Sequence, residues 1–318
     1  MMRPSPRRLP ALNAHMIDAL VAFPPANALT GQSLLQLSAM RRSAATAAHM
    51  LREACPVHVV APQQLRSDLG FFLDPNVPVL DQKLNLGLVG ATAVPVLADD
   101  QLRICDFTFN AWGDQDLPQR WDNRFGSWLA GDRGVDSDFS LLSFSASDMV
   151  HDGNGTLVLS EQTLLYPQRN PGWSKGAIER ELDRLLGAER FVWIPGRART
   201  SAFFTDDRTA VVQIPQEFED SFEQALEIAA LIEGGTNAAG EHYNIATINP
   251  SVSGHSYLDV LVVNDHVFVP SYAEDSDAAA LQVFQDLYPG KLVQQWDSRA
   301  VAHRGLSWSD VVLLIPQT

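Results

Sequence analysis

A chain of 318 residues that is 46% hydrophobic and 19% charged can build a sizeable core; at about 150 residues per domain it makes one large domain or two medium ones. Its 23 Lys and Arg against 38 Asp and Glu leave a formal net charge of -15. That charge argues against a nucleic-acid or anionic-membrane surface and suits small cations such as amines and guanidines. Cys55 and Cys105 form no disulfide framework, no His/Cys cluster has zinc spacing, and no apolar run approaches the ~20 residues of a membrane span. The expectation is a cytoplasmic protein without metal or cofactor.

In chain order, the basic, Pro-rich residues 1–15 lack a signal-type apolar core and are expected to be disordered. Residues 16–24 predict a strand stopped by Pro24-Pro25, residues 32–54 an Ala-rich helix, and residues 57–60 a strand. A helix or turn follows near residues 63–69, and residues 75–79 and 86–89 are ambiguous. Residues 94–97 and 102–109 flank Asp99-Asp100-Gln101 as a hairpin. Residues 114–138 are polar, with Trp121, Phe125 and Trp128 at near-helical spacing, and predict a loop or short helix.

The stretch 151–187 is the most legible. Asp152-Gly153 and Asn154-Gly155 are turn chemistry, and residues 156–165 predict a strand. Arg169-Asn170-Pro171 breaks it. Ser174 is a suitable helix N-cap, Ile178, Leu182, Leu185 and Leu186 share one face, and Gly187 is a suitable left-handed stop. A strand at 191–194 and a hairpin of 201–205 with 210–214 come next. Then residues 216–233 predict a helix with Phe218, Phe222, Leu226 and Ala229 inward, and 244–249 a strand. Residues 258–263 and 267–270 predict a hairpin, 277–288 a helix, and 292–295 and 311–315 the last strands.

The order from Gly153-Asn154-Gly155-Thr156 through Arg169-Asn170-Pro171 to Leu186-Gly187 resembles the agmatine deiminases and the bacterial-type peptidylarginine deiminases. So do Phe109-Asn110-Ala111-Trp112-Gly113 and Val269-Pro270-Ser271-Tyr272. These belong to the pentein (guanidino-group-modifying) superfamily. The resemblance covers roughly residues 91–316 and implies an α/β fold, a five-bladed β/α-propeller over residues 16–318, with a ligand on the ring axis. One unit per ~60 residues fits this length. It also implies oligomers, so a homo-oligomer or a hetero-oligomer with a related pentein protein is the expected assembly.

In that family a cysteine thiolate attacks a guanidinium carbon, a histidine handles protons, and carboxylates hold the guanidinium fork. Ungapped counting places Gly90-Ala91 at the family's Arg-Asp pair and Ser145 at an acid. Arg197 and Arg199 fall at the histidine and aspartate of the third motif. Ser309 and Asp310 fall at the histidine and cysteine of the last, and no Cys follows Cys105. The implied protein is a divergent homologue without the Cys/His pair, a binding or partner subunit. Altered chemistry on an amino-acid or arginine-derived substrate is the alternative.

The candidate residues read two ways. Asp310 is a nucleophile or base, or else a helix cap or a solvated acid in the turn Ser307-Trp308-Ser309-Asp310. Arg197 and Arg199 clamp an anionic ligand end, or pair with the many acids. Asp259 faces the ligand as an amine-binding acid, or points outward. Trp112 packs in the core or lines the pocket, and Ser145 and Ser309 are ligand-binding candidates by position. His151, His242, His255 and His303 are scattered beside turns and read as surface residues.

Overall fold

A computed structural model describes residues 7–25, 33–114, 116–217 and 219–318. Four successive units repeat one plan: an antiparallel pair of strands, a helix, and a third strand parallel to the second. The plan is clearest at Met149–His151, Thr156–Ser160, the helix Lys175–Leu186, and Arg190–Ile194. Here Ser174 Oγ accepts from Ala177 N at 3.3 Å and Gly187 takes φ 67°. A helix returning the chain over one sheet face is what lets the next strand run parallel.

The fifth sheet closes a ring. The final strand, Val312–Pro316, pairs antiparallel with Met16–Ala22, which continues into Val57–Ala61 and Val79–Asp81. Five sheets thus surround one axis, with the first strands innermost: Ala202–Phe204 touches Met149–His151, and Val312–Pro316 touches Ala93–Ala98. The fold is the expected α/β five-bladed propeller. Apolar residues fill the layers between each sheet and its helix, such as Leu157, Leu159, Ile178, Leu182 and Leu185.

Several local readings are corrected. Residues 156–165 are not one strand: Ser160 Oγ accepts from Thr163 N at 3.2 Å and starts the short helix Glu161–Leu164. Residues 114–138 do hold the expected short helix, Phe125–Arg133, but the strand Ser137–Ser143 went unread. Its Phe139 and Leu141 point outward, so its apolar alternation is inverted. The helix expected at 216–233 is Phe222–Gly234, and it buries Ala225, Ile228 and Ile232. Leu226 therefore faces solvent, and the expected inward Phe218 lies outside the described residues.

Of residues 1–15, expected to be disordered, 1–6 lie outside the described residues, and the part from Arg7 onward differs from the expectation. Arg7–Arg8 pair with Leu97 and Ala98, and residues 9–12 run on as a strap across the ring. The strap lies against two glycines. A Cβ on Gly187 would sit 1.7 Å from the Arg7 carbonyl oxygen, and one on Gly153 would sit 2.6 Å from the Leu12 nitrogen. No helix among the described residues is long and apolar enough to cross a membrane.

Candidate functional site

Each blade delivers a turn to the axis immediately before its first strand. These turns are residues 90–92, 145–148, 197–201, 256–260 and 307–311. They pack on one another with little space between. A Cβ on Gly90 would lie 1.8 Å from the Ser309 carbonyl oxygen. The amides of Val89 and Gly90 both donate to the Asp310 carbonyl, at 2.9 and 3.0 Å, and Ala146 N donates to the Gly90 carbonyl at 3.1 Å.

Two of the turns are near copies, Ser145-Ala146-Ser147-Asp148 and Ser307-Trp308-Ser309-Asp310. Both are capping boxes, in which the third-position aspartate turns back to the cap residue. Asp148 Oδ2 accepts from Ser145 N at 2.7 Å and Ser145 Oγ at 2.9 Å. Asp310 Oδ2 accepts from Ser307 N at 2.9 Å and Ser307 Oγ at 3.2 Å. In each turn the two serine hydroxyls are hydrogen-bonded, at 2.9 and 2.6 Å.

The copies differ in what completes the carboxylate. Asp148 receives the fork of Arg169: Nη1 donates to Oδ1 at 2.7 Å and Nη2 to Oδ2. Asp310 has no such fork, and its buried Oδ1 is without a hydrogen-bond partner of normal geometry. Burial pushes its carboxyl up to about 6, against the opposing pull of the Ser307 amide and the nearby Ser147 hydroxyl.

Arg169 is placed by the residues that carried the sequence resemblance. Asn110 Nδ2 donates to the Arg169 carbonyl at 2.8 Å, and Ser143 Oγ donates to Asn110 Oδ1 at 3.0 Å. Asn170 clamps Ser143, with its Oδ1 accepting from Ser143 N at 2.9 Å and its Nδ2 donating to Ser143 O at 3.1 Å. Trp112 takes a left-handed φ of 57°, a conformation unusual for a bulky residue, and so reaches the cavity wall.

An axial cavity of about 480 Å³ opens over these turns, bounded by Trp112, Asp148, Arg169, Arg197, Arg199 and Asp310, with Ser147, Ser160 and Thr163 hydroxyls between them. A neighbouring cavity of about 380 Å³ shares Arg197, Thr200 and Ser307 and reaches Asp259 and Tyr272. Arg197 is exposed, and its guanidinium makes no hydrogen bond or ion pair with a described residue. Arg199 is occupied: its Nε donates to Asp259 Oδ1 at 3.3 Å and its Nη2 to the Val260 carbonyl at 2.7 Å. Asp259 points inward and also accepts from Trp308 N at 2.5 Å. Burial raises its pKa, opposed by Arg199 and that amide.

Ser145 lies under the wall, held by Asp148, and Ser147 takes the cavity position instead. Ser309 lines a different cavity on the far side of the turns. His151, read as a surface residue, faces that same far cavity, and burial beside Arg199 pulls its pKa down to about 4. Arg169, Asp148 and Ser147 escaped sequence reasoning as site residues. The repeated Ser-x-Ser-Asp was the available signal for two of them.

Both cysteines are away from the axial cavities. Cys55 packs under the helix Leu34–Leu51, and Cys105 donates to the Leu185 carbonyl at 3.2 Å. Burial pushes both thiols up to about 12. Among the described residues no group of three His, Cys, Asp or Glu side chains could hold a metal ion.

The fold and the polar axial cavity do not name a family by themselves; comparison with known proteins does. Residues 8–307 match the family model for Porphyromonas-type peptidyl-arginine deiminase, and the chain belongs to that family. It is 25% identical over 292 residues to a Streptomyces avermitilis protein assigned as an agmatine deiminase, covering 83% of this chain and 84% of that one. Among solved structures it is similar to the agmatine deiminase of Enterococcus faecalis, with a TM-score of 0.89, 22% identity, and 100% and 99% of the two chains covered. A dimethylarginine dimethylaminohydrolase shares the fold more distantly, with a TM-score of 0.54 and 12% identity over 94% of this chain.

Proposed function

We propose that this deiminase-family chain binds a small cation of the amine or arginine-derived class in its axial cavity and does not hydrolyse it by a thiol route. The observation that carries the reading is the difference between the twin turns. Asp148 has an internal guanidinium on its second oxygen, and Asp310, in the cavity wall, has a buried second oxygen with no hydrogen-bond partner of normal geometry. A guanidinium or ammonium there would complete the same charge-assisted geometry. Arg197, at the rim, would meet an anionic far end and so favours amino-acid-like ligands. The relatives named for agmatine deiminase support the cationic class.

The thiol route needs a thiolate beside the ligand, and the two cysteines are buried, protonated and elsewhere. Calorimetry of the purified chain with arginine, agmatine and spermidine, with mass spectrometry of each mixture, tests the proposal. Binding that Asp310→Asn abolishes, with every ligand recovered intact, is the expected result. Release of ammonia or a ureido product would overturn it.

One observation favours a second reading, altered chemistry by this protein. A carboxyl held near 6 with an unpartnered oxygen in a cavity wall is suited to general acid–base work. Its mark would be a product other than deimination, with a pH profile that Asp310→Asn removes. As a partner subunit of a related active protein, the chain would instead show its ligand effect only in the mixed oligomer.

A further inference from the structure

Beyond the turns, the five innermost strands and the N-terminal strap enclose another cavity, of about 190 Å³. Its walls are chiefly apolar, with Leu12, Val94, Phe203, Val260 and Val312 among them. Its polar side chains include His151, Arg199 and Ser309. Arg199 is already paired with Asp259, and the Ser309 hydroxyl with that of Ser307. His151 is different: it lines the cavity, and neither of its ring nitrogens is hydrogen-bonded to a described residue. The ring is held uncharged, since burial and the Arg199 charge both oppose protonation. A neutral imidazole keeps one donor and one acceptor nitrogen, and leaving a buried one unpaired is costly.

We infer that this far cavity is a second ligand site, independent of the axial one, for a small uncharged aromatic molecule carrying one hydroxyl, with phenol as the simplest example. An apolar cavity of about 150 Å³ takes benzene, so the space here accommodates such a ring with one polar atom added. The apolar walls and the prior pairing of Arg199 disfavour any charged guest. The hydroxyl supplies the partner that His151 lacks, and the ring occupies the apolar remainder.

Saturation-transfer NMR on the full chain, with phenol and benzene as probes, tests this. Phenol is expected to bind in the millimolar range or tighter. In His151→Leu its affinity should fall by about tenfold, the worth of one hydrogen bond, while benzene binding persists. In Asp310→Asn phenol binding should be unchanged, so failure here and failure of the axial-cavity reading are separable. Absence of phenol binding to the wild type at about 10 mM, above the range of weak specific complexes, would overturn the inference. Equal phenol affinity in wild type and His151→Leu would do the same. If that variant does not fold, a phenol-soaked wild-type crystal decides, with only water beside His151 counting against the site.

Discussion

Asp310 takes two donors on Oδ2 and none on Oδ1, and it is almost wholly buried. Its carboxyl is raised from 3.8 to about 6, so the folded chain holds this proton more tightly than the unfolded one. Stability from this group is therefore greatest below about pH 4 and falls as pH rises to about 6. At about 1.4 kcal/mol per pH unit the penalty at neutral pH is about 3 kcal/mol. Asp310→Asn should thus stabilise the chain at pH 7.5, not at pH 4, while losing cation binding. Urea denaturation of both proteins at the two pH values checks this, and equal stability at pH 7.5 would remove the argument. The twin behaves oppositely. Arg169→Met strands the Asp148 carboxylate and should cost about 3–5 kcal/mol, read from the same denaturation curves. At this scale the sequence located the turn at Ser309-Asp310 and the arginines at 197 and 199. It could not say that Arg199 is already paired, because Asp259 lies 60 residues away in the chain.

The elements show how a site is held from outside. Asp122 accepts four backbone amides: Asn85 and Leu86 on Oδ2 at 2.8 and 2.9 Å, Gly87 and Leu88 on Oδ1 at 3.1 Å each. This fixes the segment that becomes Val89-Gly90, whose amides hold the Asp310 carbonyl. Asp122→Ala leaves four donors without their acceptor and should cost about 3 kcal/mol or more. It should also weaken axial ligand binding without touching the ligand, which calorimetry at fixed temperature would detect. Residues 86–89 were ambiguous in sequence for this reason: their order comes from a carboxylate 34 to 37 residues on. The helix Lys175–Leu186 was legible because cap, stripe and stop all lie within it. The helix Phe222–Gly234 was misread by about a quarter turn, since several of its faces carry apolar residues and the neighbouring sheet chose which to bury.

For the whole molecule, closure is the decisive contact. Val312–Pro316 is the innermost strand of a sheet whose other strands come from the chain's beginning, and it also abuts Ala93–Ala98. Deleting residues 312–318 opens the ring and bares the apolar face of Met16–Ala22. The truncated chain should lose cooperative thermal unfolding and bind a hydrophobic dye at 25 °C, a temperature where the intact ring excludes it. An intact sharp transition would show that closure is dispensable. The sequence by itself determined what depends on neighbours along the chain: most strands and helices, the Gly and Asn turns, and the family motifs Phe109–Gly113 and Arg169–Pro171. Only the tertiary structure decided the site, because its five turns are spread over more than 200 residues and meet only when the ring shuts. Burial then set which carboxylate is paired, which is left with an unpartnered oxygen, and that His151 faces inward, and burial is a property of the closed ring.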